Sequence, residues 1–432
     1  MFFKKEIQKI WANKAGQSLG EVLVGLTIGS ILIGAASFLV VNSLRSNASL
    51  QKSQKATQIA QEMLDKVRSW GSADWFNIYD LSKGSTNKYF LNASGTTLSV
   101  ISGEEGILSN DITNGLVGYW RLDESTSTVA YDSSGNNNSG TLINSPTRAT
   151  STCKVGSCLI FNGTTNYISM VNTTTTKSIA PTGTIANWVY LVTPTSTLQM
   201  MVDMDGTGCV SRGLVTMVSP TNFAIQYGGG GGCQRALSTT VPVLNTWFYV
   251  VTTWDSSGAR IYINGVLEGS SAIVPNFLIT NATAYIGSNG GSTRFLNGRL
   301  DDIRIYNRAL SADEVKKLYQ SSVYTRSFSV ENVCRSTGAT GEITGSGDSC
   351  AGGSANDPST QKITVSVGWQ TGVTTTQLML NDYLTRWKNA IFEQADWSGG
   401  VDNSGSYTNS SDSYSSTTNT DLNSGGVILD LP

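Results

Sequence analysis

Six cysteines fall in three close pairs, Cys153 with Cys158, Cys209 with Cys233 and Cys334 with Cys350. Proximity only ranks these pairings; with CxxC-type metal spacing absent, three local disulfides are expected, and free buried thiols in a reducing compartment are the alternative. The chain has no histidine, which removes Ser-His-Asp and Cys-His nucleophiles, imidazole general bases and His-containing zinc sites. Catalysis would fall to carboxylates, Lys, Tyr or Cys. Two carboxylates suffice for a glycosidase, but the acids that stand out have structural explanations, and no enzyme is expected. Asp203 and Asp205 in DMDGTGC read as a turn. Arg212 and Arg235 lie near Cys209 and Cys233, and Tyr227 precedes the Gly228 to Gly232 run. Aromatic faces stack on sugar rings and guanidinium groups bind anionic ones, so an exposed Tyr227 between these arginines would make a sugar-binding rim. A mobile glycine loop is the plainer reading.

The elements that must carry these residues follow from composition. At 432 residues and 39% hydrophobic content, the chain can build more than one core. Only 14% of residues are charged and the net charge is -2, so no basic footprint for nucleic acid is present. Ser, Thr, Asn and Gly make up the balance, as in secreted β-proteins. At the N-terminus Lys4, Lys5, Lys9 and Lys14 stand against Glu6, and Val22 to Val41 carries no formal charge. As a helix that run spans the ~30 Å hydrocarbon core, and the preceding positive charge keeps its start cytoplasmic. The body after Ser43 is therefore expected outside. Glu21 sits at the edge of the apolar run, where a carboxylate is costly unless paired.

The run Gly16-Gln17-Ser18-Leu19-Gly20-Glu21-Val22-Leu23-Val24 resembles the processing motif of type IV prepilins and pseudopilins, with Gln17 in place of the usual phenylalanine. The resemblance implies that a prepilin peptidase cuts after Gly16 and methylates Gln17. It also implies that Glu21 neutralises the N-terminal amine of a neighbouring pilin subunit. A signal anchor whose Glu21 snorkels to the headgroups is the alternative. Ile59, Met63 and Val67 recur every four residues, which extends the helix beyond the membrane and gives it a stripe that needs a sheet. Gly71 is expected to end it, with Trp70 to Tyr79 as a loop.

Strand candidates at Lys88 to Leu91 and Thr97 to Ile101 precede a turn-like Gly103-Glu104-Glu105-Gly106. Their continuation lies far downstream, where Tyr324, Arg326, Phe328 and Val330, and then Ile363, Val365, Val367 and Trp369, alternate with polar residues. Those two strands should be antiparallel neighbours, joined by a loop that Cys334 and Cys350 close. They resemble the sheet of minor pilins, which makes the middle an inserted domain. GLVGYWRLDE, LIFNG, NTWFYVVTTWD, ARIYINGVLEG and FLNGRLDDIRIYNRALSADEVKKLY resemble the laminin-G-like, concanavalin A-type jelly roll. Asn264-Gly265 suits a type I′ turn, and a capped helix should start at Ser311. The resemblance implies binding of carbohydrate or protein ligands through loops. It further implies a structural calcium at Asp132 with Asp301 or Asp302, for which an Asx-turn and a strand flank are the alternative readings.

The expected fold is α+β: a long N-terminal helix packed on an antiparallel sheet, with an inserted all-β sandwich. The boundaries are a leader at 1–16, the pilin helix at 17–70, the first part of its sheet at 71–112, the jelly roll at 113–320, the second part at 321–397 and a flexible tail at 398–432. The expected role is a minor pilin that displays a binding module at the cell surface. A secretion pseudopilin with the domain as spacer or cargo contact, and a membrane-anchored lectin that never polymerises, are the rivals.

Overall fold

The computed structural model describes residues 19–94, 97–193, 198–204, 213–337, 341–352, 354–371 and 374–386. A single helix runs over Leu19–Ala73. Among the described residues it is the one helix long and apolar enough to cross a membrane, and no part of its apolar window is buried. Leu23, Ile31, Phe38 and Leu44 are all exposed. From Ala56 onward the pattern changes: Ile59, Ala60, Met63, Leu64, Val67 and Trp70 are buried against Phe90, Leu91, Phe328, Val330, Ile363 and Val365. These are the stripe positions read from the sequence. Each large apolar side chain buried there contributes about 1.5–3 kcal/mol. Gly71 does not end the helix, which continues to Ala73. A Cβ at Gly71 would lie 2.1 Å from the Ile78 side chain; the glycine lets the following turn, Phe76–Tyr79, fold back on the helix.

The sheet beneath this helix, called here the base sheet, has seven strands among the described residues. Thr97–Ser102 pairs with Tyr89–Ser94, followed by Val323–Ser336, Ser354–Thr371 and Thr374–Thr385. Two further strands, Glu105–Leu108 and Ile343–Gly347, pair with Val323–Ser336. Cys334–Cys350 closes the loop between the two long strands. Glu105 and Gly106, expected in a turn, are in a strand because they find partners at Arg326 and Thr325. At the far end of that pairing Leu108 faces Val323. The chain therefore leaves the base sheet and re-enters it at cross-strand neighbours.

Between those points lie two sheets packed as a sandwich, each with eight strands among the described residues. The near sheet runs Val266–Ser271, Gly258–Ile263, Trp247–Asp255, Gly183–Leu191, Asn297–Tyr306, Cys158–Asn162 and Thr147–Ala149, with Leu116–Trp120 also on Asn297–Tyr306. The far sheet runs Gly232–Leu237, Phe223–Gly229, Leu214–Val218, Gln199–Asp203, Thr283–Ile286, Tyr167–Val171, Gly140–Ile143 and Val129–Ala130. Ile185, Val189, Val250, Trp254 and Ile303 from the first meet Ile168, Met170, Val202, Ile225 and Ile286 from the second. Strand alternation produces this, since every second residue faces the partner sheet. Asn264 and Gly265 have φ of 51° and 81°, as a type I′ hairpin requires. Ser311 caps the Ala312–Tyr319 helix in a capping box with Glu314.

The outer face of the near sheet carries Trp188, Tyr249, Val251 and Tyr262, which pack on Val315 and Leu318 of that helix and on Leu108 of the base sheet. Beside this contact runs a chain of charges. Arg326 bonds Glu105 at 2.6 Å, Arg121 of the sandwich reaches the same carboxylate at 3.1 Å, and Arg326 also lies 3.5 Å from Glu62 on the helix. Burial pushes the Glu105 carboxyl up, but Arg121 and Arg326 together hold it below the ordinary range.

Candidate functional site

The residues expected to act fall in several places. Gly16, Gln17, Asp205, Cys209 and Arg212 lie outside the described residues, and Glu21 is in the first turns of the long helix. Cys153 pairs with Cys158, and Cys233 is disulfide-bonded. Tyr227, expected to be exposed, is buried. It shares strand parity with Phe223 and Ile225, all three of which point into the sandwich core, and its hydroxyl donates to the Ile273 carbonyl at 2.8 Å. Burial raises its phenol above the ordinary value. Arg235 lies on the opposite, outward face and donates to Gln226 Oε1 at 2.6 Å. The rim around Tyr227 is therefore corrected: that ring is inside.

Asp132 makes the turn suggested by its sequence. Oδ1 accepts from the Tyr119 and Ser134 amides at 2.8 and 2.9 Å, and Oδ2 from Ser134 Oγ and the Asn138 amide at 2.8 and 2.9 Å. Asp302 accepts from the Tyr119 hydroxyl at 2.6 Å and from Arg304 Nε at 3.1 Å. Asp301 accepts from the Lys154 and Val155 amides through Oδ2, at 2.9 and 2.8 Å. Both oxygens of Asp132 and Asp302 are thus engaged by donors, while Asp301 is engaged through Oδ2 alone. No group of three His, Cys, Asp or Glu placed to hold a metal occurs among the described residues.

A different surface assembles on the outward face of the far sheet. Tyr285 pairs across strands with Ser169, and Ser169 with Thr141. On the other side Tyr285 faces Asp203. One step along, Tyr167 lies 5.9 Å from the Tyr285 ring and 6.3 Å from Phe295. All three rings are half-buried, so each keeps an open portion. The loop that brings Phe295 there is held by Asp203, whose Oδ2 accepts from Asn289 Nδ2 at 2.7 Å and from the Gly290 amide at 3.1 Å. Gly291, at φ 69°, lies so close to the two tyrosines that a Cβ would sit 3.0 Å from the Tyr167 ring. A partly open group of three rings, with Ser169, Thr141 and Asn289 around it, offers stacking faces and hydroxyl and amide partners together. Their signal in the sequence is parity: Tyr167 and Tyr285 alternate against Ile168 and Ile286, which are core.

Residues 162–316 match a family model described as Laminin_G_3, the concanavalin A-like lectin/glucanases superfamily. No curated protein matches the chain. Among solved structures the chain is similar to domain 4 of an extracellular arabinanase from Geobacillus stearothermophilus, solved with arabinotriose, at 20% identity over 48% of this chain and 98% of that one (TM-score 0.39). It is also similar to the binding domain of Paraclostridial Mosquitocidal Protein 1, at 18% identity over 48% and 52% (TM-score 0.40). A sialidase from Trypanosoma rangeli is similar at 16% identity over 48% and 32% (TM-score 0.36).

Proposed function

We propose that this chain is a type IV pilin-like subunit, anchored by its N-terminal helix, that presents a concanavalin A-type sandwich to extracellular carbohydrate. The observation that carries the binding half is the open aromatic group Tyr167, Tyr285 and Phe295 on a sheet face of the lectin-type domain. Supporting the anchoring half is the long helix, apolar over its first part and striped over its last, together with the Gly16, Gln17 and Glu21 wording. In this reading prepilin peptidase cuts after Gly16 and methylates Gln17, and Glu21 pairs with a neighbouring subunit's amine. Assembled, the chain sits in a surface pilus with other pilin subunits.

A glycan array probed with the detergent-solubilised full chain tests the binding half. Tyr285→Ala and Tyr167→Ala should each weaken retention on any glycan found by about tenfold, since one aromatic contact is worth about 0.5–1.5 kcal/mol beyond its area. Retention unchanged in both variants removes the aromatic group from the account. Mass spectrometry of the mature N-terminus tests the anchoring half: Gly16→Trp should leave the leader attached. If Glu21→Val leaves assembly and function intact, the non-polymerising lectin replaces the pilin; if deleting 113–319 stops export of a secreted substrate, the pseudopilin does. Both oxygens of Asp132 and of Asp302 and Oδ2 of Asp301 already accept amide, hydroxyl or guanidinium donors, which leaves Asp301 Oδ1 alone of the six free to meet a calcium ion that takes six to eight oxygens. An unchanged melting transition in chelator is therefore expected, and a lower one would establish the ion.

A further inference from the structure

The turn Cys153–Cys158 is wedged between the sandwich and the base sheet. Val155 is 2% exposed and packs with Leu108 and Trp188. It lies so near the Glu105–Leu108 strand that a Cβ on Gly106 would come within 2.6 Å of it. The turn's amides serve two buried carboxylates. Ser157 donates to Asp123 Oδ1 at 2.6 Å, and Lys154 and Val155 both donate to Asp301 Oδ2. Asp123 Oδ2 accepts in turn from the Gly106 amide at 2.6 Å, so one carboxylate joins the turn to the base sheet. Asp301 Oδ1 is buried and has no hydrogen-bond partner among the described residues. Gly156, at φ 63°, has no room for a side chain, since a Cβ would lie 2.1 Å from Asp123 Oδ1.

These contacts depend on one another. Two neighbouring acids are tolerated inside because the turn supplies amides to both, and a buried acceptor stripped of its donor costs ~1–3 kcal/mol. The Cys153–Cys158 disulfide closes the turn that presents those amides. Cys153 is half-buried while Cys158 is fully buried, so attack is open from the Cys153 side. Outside this region the entry and exit segments are tied by Ser109 N to the Ser322 carbonyl at 2.8 Å and by Ser322 N to Ser109 Oγ at 2.9 Å.

We propose that the Cys153–Cys158 turn is a redox-sensitive latch. Closed, it holds the Gly106 strand against the sandwich through Asp123; opened, it frees the Gly106 amide and loosens that part of the seam between sandwich and base sheet, while Arg121 and the Ser125–Ser102 contact keep the two joined. Opening is reduction by a dithiol: its thiolate attacks Cys153 Sγ and expels the Cys158 thiolate, its second thiol then frees Cys153, the dithiol becomes a disulfide, and both cysteines end as thiols. This holds whatever the sandwich binds.

Hydrogen exchange read by mass spectrometry on the full chain in detergent tests it. In Cys153→Ser/Cys158→Ser, exchange over 105–108 and 154–157 should quicken at least tenfold, while Gln199–Asp203 in the sandwich core stays protected. Cys334→Ser/Cys350→Ser should leave 105–108 unchanged. Unaltered protection at Gly106 in the first variant overturns the latch, and so does loss of protection throughout the sandwich. If that variant does not fold, the folded natural chain is treated with dithiothreitol, alkylated and read the same way. Alkylation at Cys153 with faster exchange at Gly106 supports the latch; Cys153 staying unreacted while Cys334 and Cys350 are labelled overturns it.

Discussion

Asp301 shows how much a single side chain depends on its surroundings. Burial, then the adjacent charge of Asp123, raises its carboxyl well above the ordinary 3.8, against the pull of the Val155 and Lys154 amides. Asp302 adds to the repulsion, Lys154 lies on the attractive side, and Arg121 and Glu124 act through Asp123. A group raised in the folded state contributes stability fully below 3.8 and loses it as pH climbs through the folded value. Asp301→Asn keeps an acceptor for the two amides and cannot ionise, so its urea midpoint should fall less with rising pH than the natural chain's. Parallel curves would refute this. Glu314 runs the other way. The hydrogen bond from Arg308 leads in drawing it from 4.5 to about 2, so its contribution is present above 4.5 and disappears as pH falls through about 2. Ser311→Ala, which removes the cap of the same helix, should cost about 1 kcal/mol in chemical denaturation. That cap was legible in the sequence; the Asp123 and Asp301 pairing was not, because the turn that serves both is distant from each along the chain.

Among the elements, those with a strict local period were the most legible. The stripe Ile59, Met63 and Val67 located the packed end of the helix, and the Asn264-Gly265 turn located a hairpin. Where a residue's role was set by a strand far away, local reading failed. Glu105 resembled a turn until paired with Arg326, two hundred residues on. Tyr227 beside a glycine run resembled a loop, although Phe223 and Ile225 before it already gave its parity. The glycines there are mostly strand: Gly228 and Gly229 pair with Cys233 and Gly232, leaving Gly230 and Gly231 to turn. The long loop between Val323–Ser336 and Ser354–Thr371 is closed by Cys334 and Cys350, separated by 16 residues. Replacing both with serine should lower unfolding free energy by about 3 kcal/mol, measured by urea titration. A loss near zero would mean that the strand pairing, which runs almost the full length of both strands, sets the loop by itself.

For the whole molecule, the neighbouring positions of Leu108 and Val323 govern what can be removed. A chain in which a short Gly/Ser linker replaces 113–319 should keep the base sheet and its helix contact, because Glu105 and Arg326 remain partnered and the stripe on Ala56 to Trp70 is untouched. Circular dichroism and a cooperative melt would report it; loss of cooperativity would mean that the base sheet needs the sandwich's Arg121. The same geometry has a mechanical meaning. A pull on the sandwich draws its two connecting segments in one direction, so it does not peel Glu105–Leu108 from Val323–Ser336. The load passes instead to the long pairing of Val323–Ser336 with Ser354–Thr371, where many hydrogen bonds share it in shear. A domain fastened in this way can be tugged hard without being unzipped from its mount.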